Sequence, residues 1–183
     1  SIGFSADKVT VQVNLYTRAG NRFAGSTIYV FDKRSLYDPS AQTRLFQRFV
    51  LRDQGATHVP AVTYDAGVND QYLLARWAGD VQGEGYLDAF RISGNPAIGA
   101  ATITRLGFIA SGGYTWDSFA PGDIAPQQGT PAKIDTGDDR LLSVCLRNGV
   151  LYCSHTALLP AGGTARSAAQ WWEIDTGTWS VRN

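Results

Sequence analysis

One strand–turn–strand unit recurs along this chain, and its recurrence restricts the fold more than any other feature. The clearest copies are His58–Gly94 and Arg140–Gly177, with a fainter copy at Lys8–Leu51. Phe90-Arg91-Ile92 and Trp172-Glu173-Ile174 lie 82 residues apart, and Tyr72 and Tyr152 lie 80 apart. Agreement within two residues across several strands argues for equivalent modules. Repeated units of this size stack, because one of them cannot bury both its faces alone. Taking Val11 and Val62 as equivalent strand centres gives a shorter spacing of 51. The difference of about 30 residues matches an irregular excursion inside 95–139, so the last unit reads as a unit plus an insertion.

The strands follow from period-two alternation. Val9, Val11, Val13 and Leu15 alternate with Thr10, Gln12 and Asn14. Further strands are expected at Thr27–Asp32, Arg44–Leu51, Val59–Tyr64, Gln71–Ala78 and Tyr86–Ile92. Ile103–Ala110, Leu141–Leu146, Val150–Thr156 and Ala168–Ile174 complete the set. Gly- and Asp-rich joins separate them. Helix is confined to one turn within Ser35–Phe46, interrupted at Asp38-Pro39. Pro96, Pro121, Pro126 and Pro131 gather in the excursion.

Three strands per unit, with a fourth partly visible, predict an all-β, propeller-like fold of about three blades. The units are drawn at 1–52, 53–96 and 97–183. A β-sandwich of about ten strands is the alternative.

Charged residues are only 17% of the chain, against roughly 25% in an average soluble domain. Lys+Arg and Asp+Glu balance at 16 each, so no basic excess favours nucleic acid. No apolar run approaches the roughly 20 residues of a membrane span. The chain opens at Ser1 and contains no methionine, which fits a processed start or a piece of something longer. Cys145 and Cys153 flank Asn148-Gly149. A type I′ turn there sets Arg147 opposite Val150 and Cys145 opposite Tyr152. The thiols then point to opposite faces and stay unbonded, whereas a shifted register would pair them.

Ile2-Gly3-Phe4 with VTVQVNLY and STIYVFDKRSLY resembles a blade of large secreted bacterial β-propeller proteins of uncharacterised function. IDTGDDRLLSVCLRNGVLYCSHT followed by TARSAAQWWEID resembles it too. The resemblance implies the fold and a secreted or cell-surface setting, and no reaction. Such proteins carry about six to eight blades, so three imply a fragment or closure by assembly.

Gly113-Tyr114-Thr115-Trp116 resembles the second half of the sialidase-type Asp-box, with Ser111 where the Asp belongs and Ile109 where the Ser belongs. In those enzymes the box is a folding element, and the bland reading is a Gly-rich loop with a packed Trp. His58 and His155 have no second His or Cys at ligand spacing. Asp135, Asp138 and Asp139 are weak candidates for calcium, the one cofactor left open, although Asx-turns explain them as well. Asp88 and Glu173, on equivalent last strands, are the only pair suggesting a glycosidase, and both read as surface charges. Candidate ligand-binding residues are Arg76, Trp77, Trp116, Arg166 and Trp171, which combine aromatic surface with guanidinium groups suited to carbohydrate or carboxylate. Trp171 and Trp172 are consecutive on a strand, so only one of them packs inward.

The reading that follows is a non-catalytic extracellular binding or assembly segment. Its partners are further copies, missing blades or carbohydrate. A sialidase- or glycosidase-type fragment comes second, and a calcium-stabilised adhesin module third.

Overall fold

A computed structural model describes residues 1–43, 45–118 and 122–182. It is all-β, and its strands form three antiparallel meanders. The first comprises β1 (Ile2–Phe4), β2 (Lys8–Tyr16), β3 (Phe23–Asp32) and β4 (Phe46–Leu51). Arg44, expected to begin the last of these, lies outside the described residues. One helical turn, α1 (Lys33–Tyr37), precedes β4. Asp32 caps it by accepting from the Ser35 amide, and it ends at Asp38, ahead of Pro39.

The middle meander comprises β5 (Val59–Val62), β6 (Gln71–Val81), β7 (Glu84–Ser93) and β8 (Thr102–Ala110). An excursion follows, containing the separate hairpin of β9 (Asp123–Gln127) and β10 (Thr130–Asp135). Pro121 lies outside the described residues. The last meander comprises β11 (Val144–Arg147), β12 (Val150–Leu159), β13 (Arg166–Asp175) and β14 (Ser180–Val181). β11 begins three residues later than the pattern suggested.

The opening strands of the meanders meet side by side. β5 runs parallel to β1 through Phe4 and Val62, and parallel to β11 through Ala61–Val144 and Val62–Cys145. The three sheets fan out from this short parallel centre. Gly3 sits at the closest approach, where a Cβ would stand 2.5 Å from the Pro60 carbonyl oxygen.

Register supports the repeat between the middle and last meanders. Tyr72 faces Arg91 as Tyr152 faces Glu173, and Leu73 faces Phe90 as Cys153 faces Trp172. The match of Val11 with Val62 is corrected. Val11 belongs to a second strand, opposite Ile2, while Val62 belongs to a first strand. The three-residue β1 is too short to show an alternation, so the first meander was read one strand late.

Two cores join the fan. Ile28, Val30 and Leu51 of the first meander pack with Leu73, Phe90 and Ile92 of the middle one. Leu74, Leu87 and Ala89, on the opposite face of the middle meander, pack with Cys153, Trp172 and Ile174 of the last. The middle sheet is thus covered on both faces, and each outer sheet keeps one face outside these cores.

The two bare faces differ. On the first meander, Val9, Val11, Val13 and Leu15 pair with Phe31, Tyr29, Thr27 and Gly25, and Phe46, Arg48 and Val50 extend the surface. Ile2 is 65% exposed and Phe46 49%. The last meander instead turns out Tyr152, Ser154, Thr156, Ser167, Ala169, Trp171 and Glu173.

Candidate functional site

A buried polar knot joins the middle and last meanders. Its centre is Asp139, fully buried at the end of the excursion. Trp116 Nε1 donates to Asp139 Oδ2 at 3.0 Å, and Arg76 Nε stands 3.2 Å from the same oxygen. Coulomb attraction to a guanidinium is what makes a carboxylate tolerable there. Asp139 Oδ1 has no hydrogen-bond partner among the described residues. His155 lies against Trp116, with ring centroids 4.7 Å apart. Its Nδ1–H donates to the Thr156 carbonyl at 3.0 Å, which leaves Nε2 as an acceptor with no described partner. Burial pushes the His155 pKa down, which favours the neutral ring.

Trp116 fits here because two glycines make room for it. A Cβ on Gly79 would meet Trp116 O at 2.2 Å, and one on Gly85 would meet the ring at 2.1 Å. The loop ahead of it, 111–115, is held as a turn. The Tyr114 amide donates to Ser111 Oγ at 3.0 Å, and the Gly113 amide donates to both Glu84 carboxylate oxygens at 3.0 Å. Ser111 thus closes the turn, with a carboxylate lent by Glu84 of the neighbouring strand. Trp116 is packed core and does not reach solvent.

Beside the knot, a cleft of about 1000 Å³ opens between the excursion and the outer face of the last meander. Its floor is Ser154, Thr156, Ser167 and Ala169, and its far wall carries Asp138, Arg140 and Leu142. Thr156 Oγ1 donates to Thr136 O at 2.7 Å and ties wall to floor. Asp138 and Arg140 form an ion pair of 2.6 Å, and hydrogen bonds from Arg140 hold the Asp138 pKa down.

The candidate binding residues separate into three places. Arg76 and Trp116 converge on Asp139. Trp171, 69% exposed, stands on the outer face of the last meander across from Ser154, while Trp172 is buried. Arg166 is exposed at the start of the same strand, next to Ser167 of the cleft. Trp77 lines a separate small pocket together with Arg76 and Phe23, and its ring packs at a tilt on Phe108, centroids 4.8 Å apart, with the Arg105 guanidinium 5.0 Å away.

The three aspartates considered for calcium serve separate partners. Asp135 Oδ1 accepts from the Gly137 amide, Asp138 pairs with Arg140, and Asp139 faces inward. Among the described residues no group of three or more His, Cys, Asp or Glu is arranged to hold a metal ion. The reading of Asp88 as a surface charge is corrected. Asp88 is fully buried, and Arg105 from β8 grips it through Nε at 2.9 and 3.0 Å and through Nη2 at 2.9 Å. Burial raises its pKa and Arg105 opposes the rise. Asp88 and Glu173 face opposite ways along the fan, so they do not form a pair across a cleft.

Sequence reasoning missed Asp139 as the hub. It also missed an exact four-residue repeat, Ile134–Gly137 and Ile174–Gly177. In both copies the Asp accepts the Gly amide, at 2.7 and 2.8 Å. In both, the Thr amide and hydroxyl clamp an earlier glycine carbonyl, Gly122 or Gly149.

Among the described residues no helix is long and apolar enough to cross a membrane. No protein-family model, curated protein or solved structure matches this chain.

Proposed function

We propose that this chain is a non-catalytic assembly module whose meanders act as propeller-type blades, and that a second copy covers the bare face of the first meander. One observation carries the reading. In the middle and last meanders, the repeat-equivalent face (Leu73 and Phe90, Cys153 and Trp172) is buried against the preceding sheet. Among the described residues no sheet covers the equivalent face of the first meander, whose Val11–Tyr29 rows stay bare and mostly apolar, with the exposed Arg48 on the edge strand. An exposed apolar sheet face marks an interaction surface.

The occupant follows from the contrast between the two outer faces. The last meander turns a polar face outward and is partly roofed by the excursion, as a capping repeat would be. It is a poor match for an apolar sheet. A second first-meander face is a good match, and a two-fold contact is the commonest symmetric solution. Its strands are 3, 9, 10 and 6 residues long, and at ~3.3 Å per residue and ~4.8 Å between strands they offer roughly 450 Å². Burying that area from both copies removes about 900 Å², the size of a weak, concentration-dependent interface. The low content of charged residues and the blade resemblance support a place outside the cell.

The test is to place charge on the face. Val13→Glu with Phe46→Glu should convert the assembled species to monomer in size-exclusion chromatography with light scattering. Tyr114→Glu, at an exposed position on the 111–115 loop, should leave it intact. Assembly that survives the double substitution would overturn the proposed interface.

A further inference from the structure

We propose that the cleft on the outer face of the last meander, with Trp171 at its rim, binds a short neutral oligosaccharide.

The floor and rim are consecutive rows of one sheet face. Cross-strand pairing sets Trp171 beside Ser154, Ala169 beside Thr156, and Ser167 beside Leu158. The indole is 69% exposed and stands one row from the cleft. It presents a flat apolar surface with a polar edge, the shape on which the C–H face of a pyranose lies. Tyr152, 39% exposed, continues the aromatic strip on the other side of Ser154.

The polar lining matches hydroxyl chemistry. Ser143, Ser154 and Ser167 make no side-chain hydrogen bond to any described residue, and each hydroxyl offers one donor and two acceptors. Arg140 commits Nε and Nη2 to Asp138, at 2.8 Å and 2.6 Å. The pair cancels its own charge and still leaves N–H groups on Nη1 and acceptor lone pairs on the carboxylate. A self-neutralised pair beside hydroxyls suits uncharged polyols better than anions. The cleft volume lies at the upper end of small-molecule pockets, with room for a few sugar rings.

The cleft is on the face opposite the last meander's core contact, and it shares no residue with the apolar face of the first meander. Sugar binding and self-association therefore stand or fall separately.

The experiment titrates the full chain with malto-, cello-, xylo- and manno-oligosaccharides, and with oligogalacturonide as an anionic probe. Tryptophan fluorescence and saturation-transfer NMR are the readouts. At least one neutral series should bind, with saturation transfer concentrated on ring C–H protons. Trp171→Ala should weaken that binding about tenfold or more, an aromatic platform being worth on the order of 1.4 kcal/mol. Ala169→Trp should fill the floor and abolish binding, while Trp77→Ala should leave it unchanged. Because Trp171 is exposed, its loss leaves the fold intact, which a thermal melt checks. No binding by any neutral probe, binding indifferent to Trp171→Ala, or preference for oligogalacturonide would each overturn the proposal.

Discussion

Trp116 occupies the space that side chains at positions 79 and 85 would take. A Cβ on Gly85 would stand 2.1 Å from Cζ3 of the indole and 2.8 Å from the Tyr114 carbonyl oxygen. Gly85→Ala should therefore cost about 3 kcal/mol, a Tm loss on the order of 10 °C in a thermal melt. Trp116→Phe removes the ring atoms that clash. The double variant should be more stable than the sum of the single changes allows, and strict additivity would refute the cradle. His58 gives a second residue-scale test. Its ring is buried against Phe90, and its Nε2–H donates to the Gln54 carbonyl at 2.8 Å. Burial pushes its pKa down from 6.5 to about 4. The unfolded chain therefore takes up a proton near pH 6.5, and the folded chain only near 4. Stability is present in full above pH 6.5 and falls by up to about 3 kcal/mol as pH drops toward 4. His155 shifts in the same direction. Urea melts at pH 7 and 4.5 should show a smaller pH-dependent loss for His58→Gln than for the parent, and an equal loss would count against this assignment. At this scale, alternation was enough to separate Trp171 from Trp172. Burial of Asp88 and Asp139 was not legible, because it depends on Arg105 and Arg76, arginines that only the folded sheet brings near.

Elements carried the clearest signals. Asn148 and Gly149 have φ values of 49° and 74°, the positive pair that a two-residue type I′ turn needs. That turn alone set Cys145 opposite Tyr152 and kept the thiols apart. Long alternating strands such as β2 and β12 were visible for the same reason: period two over nine or ten residues is hard to mimic. The short inner strands were not. β1 spans three residues and β5 four, and their pairing is parallel and set by distant partners. The hairpin of β9 and β10 was hidden by its prolines. Gly3 is the element-scale test of the centre. Gly3→Ala places a methyl 2.5 Å from the Pro60 oxygen and 2.6 Å from the Ala61 oxygen, so β1 must move off β5. The expected result is a loss on the order of 2–3 kcal/mol, with faster hydrogen exchange at the Thr63 amide, which donates to the Phe4 carbonyl across this line. Unchanged exchange there would mean that the two strands do not hold the meanders together.

The whole molecule is an open fan. Its middle sheet is buried on both faces, and its two outer sheets end differently. The last meander ends in hydroxyls, an ion pair and a roofing excursion. The first ends in valines, Leu15 and aromatic rings that still face outward, with Arg48 among them. The repeat in the sequence announced stacked modules, but it did not say which end was closed. That depends on the parity of Val11 and Tyr29 relative to a neighbour, and parity has meaning only once the neighbour is placed. A second copy is proposed to cover the apolar end. Sedimentation velocity of the unmodified chain, taken over a concentration series through the micromolar range, tests this most directly. The expected result is a species of twice the 19.8 kDa chain mass that gives way to monomer on dilution. A single 19.8 kDa species at every concentration would contradict it.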